Sequence, residues 1–228
     1  MKRSEINGII RRFEKLLEEH CFELPPFLKF TPEEWRYKGH EYDEIRDNRL
    51  GWDVTDYGMG DYRHLGLALI TLRNGNVHDD RYPKTYAEKI MMCDPGQVSP
   101  MHFHWNKMED IINRGGGEIH FTLYRASKDE QMDTKSDVPI CQDGRRYIIK
   151  PGETIVLRPG ESLSLYPHCY HEFRIPEESA PVLIGEVSMC NDDNRDNRFL
   201  KPLGRFPKIE EDEKPYRLLC TEYPDAVS

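Results

Sequence analysis

No segment of this chain is long and apolar enough to cross a bilayer. The charge-free apolar run at 64–72 falls far short of the roughly 20 residues a spanning helix needs. No apolar stretch follows Met1-Lys2-Arg3-Ser4-Glu5 in the manner of a secretory leader, so a soluble, cytoplasmic protein without a membrane partner is expected. An excess of basic residues is also missing. A formal net charge of -9 argues against a nucleic-acid partner, which would want a positively charged face. The six cysteines (21, 93, 141, 169, 190 and 220) form no CxxC and keep no regular spacing. They read as reduced, mostly buried thiols rather than a disulfide framework.

What the chain does have is turns. With 16 prolines, 16 glycines and 11% aromatic residues in 228, it suits a strand-rich, turn-rich fold with a sizeable core. Ile6, Ile9, Ile10, Phe13, Leu16 and Leu17 repeat at helical spacing and predict one amphipathic helix over 4–19, with Ser4 as its N-cap. Thr31-Pro32-Glu33-Glu34 marks the start of a second, short helix. The stretch 51–58 reads as loop. From Tyr62 the period changes to short alternating or apolar runs at 64–72, 84–92, 99–104, 109–114, 117–125, 145–149, 153–158, 161–166, 171–175 and 181–189. Turn signals such as Asn74-Gly75, Asp143-Gly144 and Pro159-Gly160 separate them. Many short strands at this spacing predict an all-β sandwich or barrel, and the polar stretch 127–142 reads as an exposed loop. The expected organisation is a helical N-terminal extension (1–61) packed on a barrel (62–189), then a C-terminal extension (190–228), in one structural domain.

The most informative segment is Gly96-Gln97-Val98-Ser99-Pro100-Met101-His102-Phe103-His104-Trp105-Asn106-Lys107-Met108-Glu109. On a strand, His102 and His104 point to one side and Phe103 to the other. Glu109 can fold back from the next strand toward the same point, so two imidazoles and a carboxylate converge as a divalent-metal site. Two surface histidines beside a turn would fit the HxH alone, but not the glycines on either side. A fourth ligand should come from another strand, and His171 heads an alternation in which Phe173 and Ile175 share its face. A satisfied core histidine is the alternative there; His168, in the turn before, ranks second as a ligand. Nothing marks Cys169 as a nucleophile.

These residues resemble a known superfamily. Gly96, His102, His104, Glu109 and Gly116 match the first cupin motif, G-x5-HxH-x4-E-x6-G, at every fixed position. Pro167 and His171 are similar to the proline and histidine of the second motif, with one residue fewer between them. Cys169 stands where a glycine is usual nearby, and Ile175 stands in place of the asparagine. The segment Met101 to Gly117, together with Gly185-Glu186-Val187-Ser188 and Asn191-Asp192-Asp193-Asn194, resembles the cupin-type D-lyxose isomerases. That resemblance implies a small antiparallel β-barrel and a divalent metal, manganese first, with zinc, cobalt, nickel and iron compatible with the donors. It also implies interconversion of D-lyxose with D-xylulose and of D-mannose with D-fructose, through a cis-enediol.

Such a reaction needs a base to move a proton between adjacent carbons. Glu186 shares a strand face with Val182 and Ile184 and is the candidate, with a pKa expected to be raised by burial. The opposite face is apolar too, so strand parity leaves an outward glutamate open. Lys107, between two ligands, can stabilise the developing oxygen charge or be a solvated turn lysine. Asp192, Asp193 and Asn194 can accept sugar hydroxyls or simply make a turn. Lys89, on an otherwise apolar strand, is a further candidate. The other readings of the same ligands are an iron dioxygenase and a non-catalytic sugar-binding cupin. A homodimer is expected from the family and from the need to cover sheet edges.

Overall fold

The computed structural model describes residues 1–192, 195–204 and 206–227. Two antiparallel sheets curl around a shared core. The larger runs, in spatial order, β1 (Gly51–Thr55), β2 (Leu67–Arg73), β3 (Tyr86–Cys93), β13 (Val182–Met189), β5 (Glu109–Gly116), β11 (Ser162–Leu165), β8 (Val138–Gln142) and β9 (Arg145–Ile149). The smaller runs β10 (Thr154–Leu157), β6 (Ile119–Ala126), β12 (Cys169–Arg174), β4 (Val98–Phe103) and β14 (Arg198–Phe199), with β7 (Met132–Asp133) paired to β6. Inward residues alternate along each strand. Phe121, Leu123, Ile155 and Phe173 meet Leu69, Met91, Ile111, Leu163 and Ile184 between the sheets.

A second core lies on the outer face of the larger sheet. Helix α1 (Arg3–Glu19) lays Ile6, Ile9, Ile10, Phe13 and Leu17 on Trp52, Val54, Ile70, Ile90, Met92 and Leu183. Phe13 meets Trp52 edge-on at 5.6 Å between ring centroids. Two short helices follow, α2 (Pro32–Trp35) and α3 (Asp43–Asp47). The start of α2 is a complete capping box, with Thr31 and Glu34 satisfying each other's backbone N–H.

The helix α1 starts one residue earlier than expected. Lys2 is its N-cap and makes no side-chain cap, and Ser4 lies inside the first turn. The free N-terminal donors are met from a distance: Asp212 accepts from Ser4 N at 2.9 Å and from Ser4 Oγ at 2.7 Å. A carboxylate there also suits the positive end of the helix dipole.

Two stretches expected to be loop are strands. In β1, Trp52 and Val54 face the helix, while Asp53 and Thr55 are buried polar residues on the other face. That polar inner face hides the alternation in the sequence. In β8, Val138 and Ile140 are core residues amid a polar stretch. Its pairing with β11 involves only Cys141 and Gln142, so Pro139 removes no bond from that ladder.

One glycine is required by close approach. Gly116, at φ +95°, ends β5 against the start of β13, where a Cβ would lie 2.0 Å from the Pro181 carbonyl oxygen.

Candidate metal centre

Strands β4 and β12 are neighbours, and their register sets His102 directly opposite His171. Their ring centroids are 4.1 Å apart, and His104 joins them at 5.1 Å from His102 and 5.5 Å from His171. One ring nitrogen of each lies within 4.8 Å of the others, a group able to hold a metal ion. Glu109 opens β5 on the facing sheet. Its Oε1 stands 3.4 Å from His104 Nε2 and 3.2 Å from His171 Nε2. The four expected ligands therefore meet, although they come from both sheets.

The hydrogen bonds behind the rings decide their chemistry. Nδ1 of His102 donates to Pro100 O at 2.7 Å, that of His104 to Asp196 O at 2.6 Å, and that of His171 to Cys169 O at 2.9 Å. With the ring proton fixed on Nδ1, the Nε2 lone pair is left to ligate. Burial, then His171 and His104, push the His102 pKa well below its ordinary value and favour the neutral ring. Nε2 of His104 is buried without a hydrogen-bond partner. A buried lone pair that no donor meets is costly in an apoprotein and is what a divalent cation would use. The residues fit a metal.

Around this group lies a buried charge network. Lys107 Nζ is 2.7 Å from Glu109 Oε2 and 3.2 Å from Glu186 Oε1, and Lys89 Nζ is 3.0 Å from the same Glu186 oxygen. Asn191 Oδ1 accepts from Lys89 at 2.8 Å and from Lys107 at 3.4 Å. Burial alone would raise the Glu109 carboxyl, but Lys107 and His104 outweigh it and hold it well below the usual range. The expectation of a raised Glu186 pKa is overturned in the same way. Burial pushes it up, yet Lys107 and Lys89 together bring it below its ordinary value.

Glu186 faces inward, paired across strands with Lys89 on β3. Lys107 is buried, not a solvated turn residue. Lys89, Lys107, Glu186 and the four ligands line one cavity of about 80 Å³, closed by Thr55, Tyr57 and Phe199 among others. Asp192 sits outside that cavity on a larger groove, its carboxylate 3.1 Å from His78 Nε2. Asp193 and Asn194 lie outside the described residues. His168 is an exposed turn residue at φ +59°, stacked on Phe103 and not part of the metal-binding group. Burial pushes the Cys169 thiol up to about 12, so it is no thiolate. All six cysteines are free.

The sequence did not foresee Thr55 and Tyr57 in the cavity wall, nor Asn191, Asp196 and Phe199. The last three belong to the C-terminal segment, which crosses the barrel mouth and pairs Phe199 with His102. In the sequence, Asn191 and Asp196 sit in a run of Asn and Asp that reads as a turn, and Phe199 carries no periodic signal.

Two curled antiparallel sheets with three imidazoles and a carboxylate pointing inward define a cupin barrel with a centre able to hold a metal ion. A family model described as D-lyxose isomerase matches residues 1–223. The chain is 46% identical over 224 residues to the D-lyxose/D-mannose isomerase of Serratia proteamaculans, covering 98% of both chains. Its identity to the D-lyxose/D-mannose isomerase of Escherichia coli O157:H7 is also 46%, again over 98% of each. The L-ribose isomerase of Cellulomonas parahominis, solved with L-ribose, superposes with a TM-score of 0.61 at 17% identity, covering 92% of this chain and 98% of that one. That last likeness is one of fold. The chain belongs to the D-lyxose isomerase family, and so to the sugar isomerases.

Proposed function

We propose that this chain is a divalent-metal-dependent aldose–ketose isomerase that interconverts D-lyxose with D-xylulose and D-mannose with D-fructose. The observation that carries the reading is the shared anchoring of His102, His104 and His171 by Nδ1 to backbone carbonyls, which turns their Nε2 atoms inward beside Glu109. These four residues would hold the metal, manganese first. When bound, it would act as a Lewis acid toward the sugar's carbonyl and hydroxyl oxygens. The named activity of the two 46% identical relatives supports the choice of sugars.

The chain's own groups supply the proton movements. Glu186 takes the C2 proton, the electrons of that C–H bond form the C1–C2 double bond, and the C1 carbonyl π pair moves onto O1. The O2 proton then passes to O1 as the C2 carbonyl forms, and the same carboxyl returns its proton to C1. Its lowered pKa, set against burial by Lys107 and Lys89, keeps it ionised and ready to accept. Lys107 donates toward the oxygen on which charge develops. Lys89 holds Glu186 in place and offers a donor to a sugar hydroxyl. Asp192, on the outer groove beside His78, is assigned to the distal hydroxyls, with Asp193 its companion candidate from the sequence. The cavity's two lysines are matched by two glutamates, which favours a free sugar over a sugar phosphate.

On this reading the segments 1–61, 62–189 and 190–228 form one structural domain, acting in the cytoplasm as a homodimer. Exposed Tyr86, Val187 and Met189 at neighbouring strand ends support a self-associating face. No helix among the described residues is long and apolar enough to cross a membrane. The test is a screen of free pentoses and hexoses with manganese, followed by NMR. Exchange between lyxose and xylulose is the expected result, and no turnover of either lyxose or mannose would reject the proposal.

A further inference from the structure

Strand β4 ends at Phe103 and β5 begins at Glu109, so the connection between them carries one ligand, His104, and the buried Lys107. A turn with no strand beside it must satisfy its N–H groups elsewhere. Here they go to one side chain. Asp196 Oδ1 accepts Asn106 N at 2.9 Å and Asn106 Nδ2 at 3.3 Å, and Oδ2 accepts Lys107 N at 2.8 Å. The main-chain carbonyl of the same residue receives His104 Nδ1 at 2.6 Å. Asp196 is itself buried, and its own N–H is held by Asp192 O at 2.9 Å.

The geometry points to Asp196 as a positioning residue, through which the C-terminal segment sets His104 and Lys107 together. The carboxylate fixes the turn at 106–107, and the carbonyl fixes the tautomer and rotation of the His104 ring. Charge-assisted bonds from a carboxylate to two successive N–H groups are short and directional, so they define the turn closely. Its two ends are held by one backbone bond each, His168 N to His104 O at 2.9 Å and Met189 N to Met108 O at 3.1 Å. Lys107 also forms part of the wall between the inner cavity and the outer groove of about 840 Å³, which Asn106 and Asp196 line as well. Loss of the carboxylate would let this wall shift, moving His104 Nε2 away from its partner ligands and Lys107 Nζ away from Glu186.

This inference rests on the metal-centre reading above, and the experiment separates the two. Manganese is titrated by calorimetry into metal-free wild type, Asp196→Asn and Asp196→Ala, and thermal unfolding of each metal-free protein is recorded. Partners behind a ligand typically matter by about 10–100-fold in metal affinity. The alanine variant should weaken manganese binding by about that factor. The asparagine variant, equal in size but with one acceptor in place of two, should fall between it and wild type. Counted per bound manganese, kcat should fall more than KM rises, because Lys107 is displaced along with the ligand. A merely structural role would lower the unfolding temperature and leave the manganese affinity of the folded protein unchanged. Unchanged affinity in both variants, with wild type binding normally, overturns the role of Asp196 alone. Failure of wild type to bind manganese overturns the metal-centre reading and this inference with it.

Discussion

Because a carbonyl oxygen can only accept, its contact with Nδ1 places a proton on that nitrogen of each ring in the cluster. Pro100, Asp196 and Cys169 supply those oxygens, so in the neutral rings Nε2 is the nitrogen free to ligate. The substitution His102→Ala should therefore bring metal content, measured by mass spectrometry, well below one per chain and abolish turnover. Stoichiometric metal in that variant would contradict the ligand set. Glu186 answers to a different test, since it touches lysines but none of the three histidines. Glu186→Gln should keep the metal and lose about a hundredfold or more in kcat, the usual scale for a general base. Near-normal turnover would remove it from the proton transfer. The inward direction of His171 follows from the alternation with Phe173, and that was visible in the sequence. The direction of the Glu186 pKa was not, because it depends on two lysines from separate segments.

Among the elements, those with one apolar face were legible and those with mixed faces were not. Ten expected strand segments correspond to β2, β3, β4, β5, β6, β9, β10, β11, β12 and β13 within a few residues. The strands β1 and β8 escaped notice because a polar cavity lies behind one and a polar stretch surrounds the other. The C-terminal segment gave no periodic signal, yet it clasps helix α1. Arg3 pairs with Glu211 and Glu222, and Asp212 binds the helix start. The bond to Arg3 holds the Glu211 carboxyl below its ordinary value, and the bonds to Ser4 do the same for Asp212. Unfolded carboxyls titrate at about 4. The clasp is thus at full strength above that pH and is lost as pH falls through the lower folded-state values. Hydrogen exchange should show the segment 209–213 opening as pH falls below about 4, while β6 and β13 stay protected. Opening of the segment 209–213 no earlier than β6 and β13 as the protein is acidified to its global unfolding would contradict the clasp.

At the scale of the whole molecule, the larger sheet works on both faces. Its outer face is apolar and takes the helix, while its inner face turns from apolar core to charged cavity along β3, β5 and β13. Metal binding should stabilise such a barrel, since a ligand that binds only the folded state raises stability by mass action. Manganese at a hundred times its dissociation constant adds about 2.7 kcal/mol. For a chain of this size that corresponds to a rise in Tm of about 5–10 °C over the chelated protein. Differential scanning calorimetry with excess chelator and then manganese measures it directly. An unchanged midpoint on manganese addition would show that the centre does not bind the ion in the native state.

The sequence by itself determined the barrel, the amphipathic helix and the candidate ligands. Each is written in local periodicity or fixed spacing: strand alternation, helical repeat, and the HxH with its glutamate and flanking glycines. Only the tertiary structure decided how the site is supported. The lysines beside Glu186, the clasp on α1 and the grip of Asp196 on the turn at 104–107 join residues from about 80 to more than 200 positions apart. No local pattern encodes such contacts: the lysines meet Glu186 only when β3, the turn after β4 and β13 come together, and the other two arise when the C-terminal segment crosses the finished barrel.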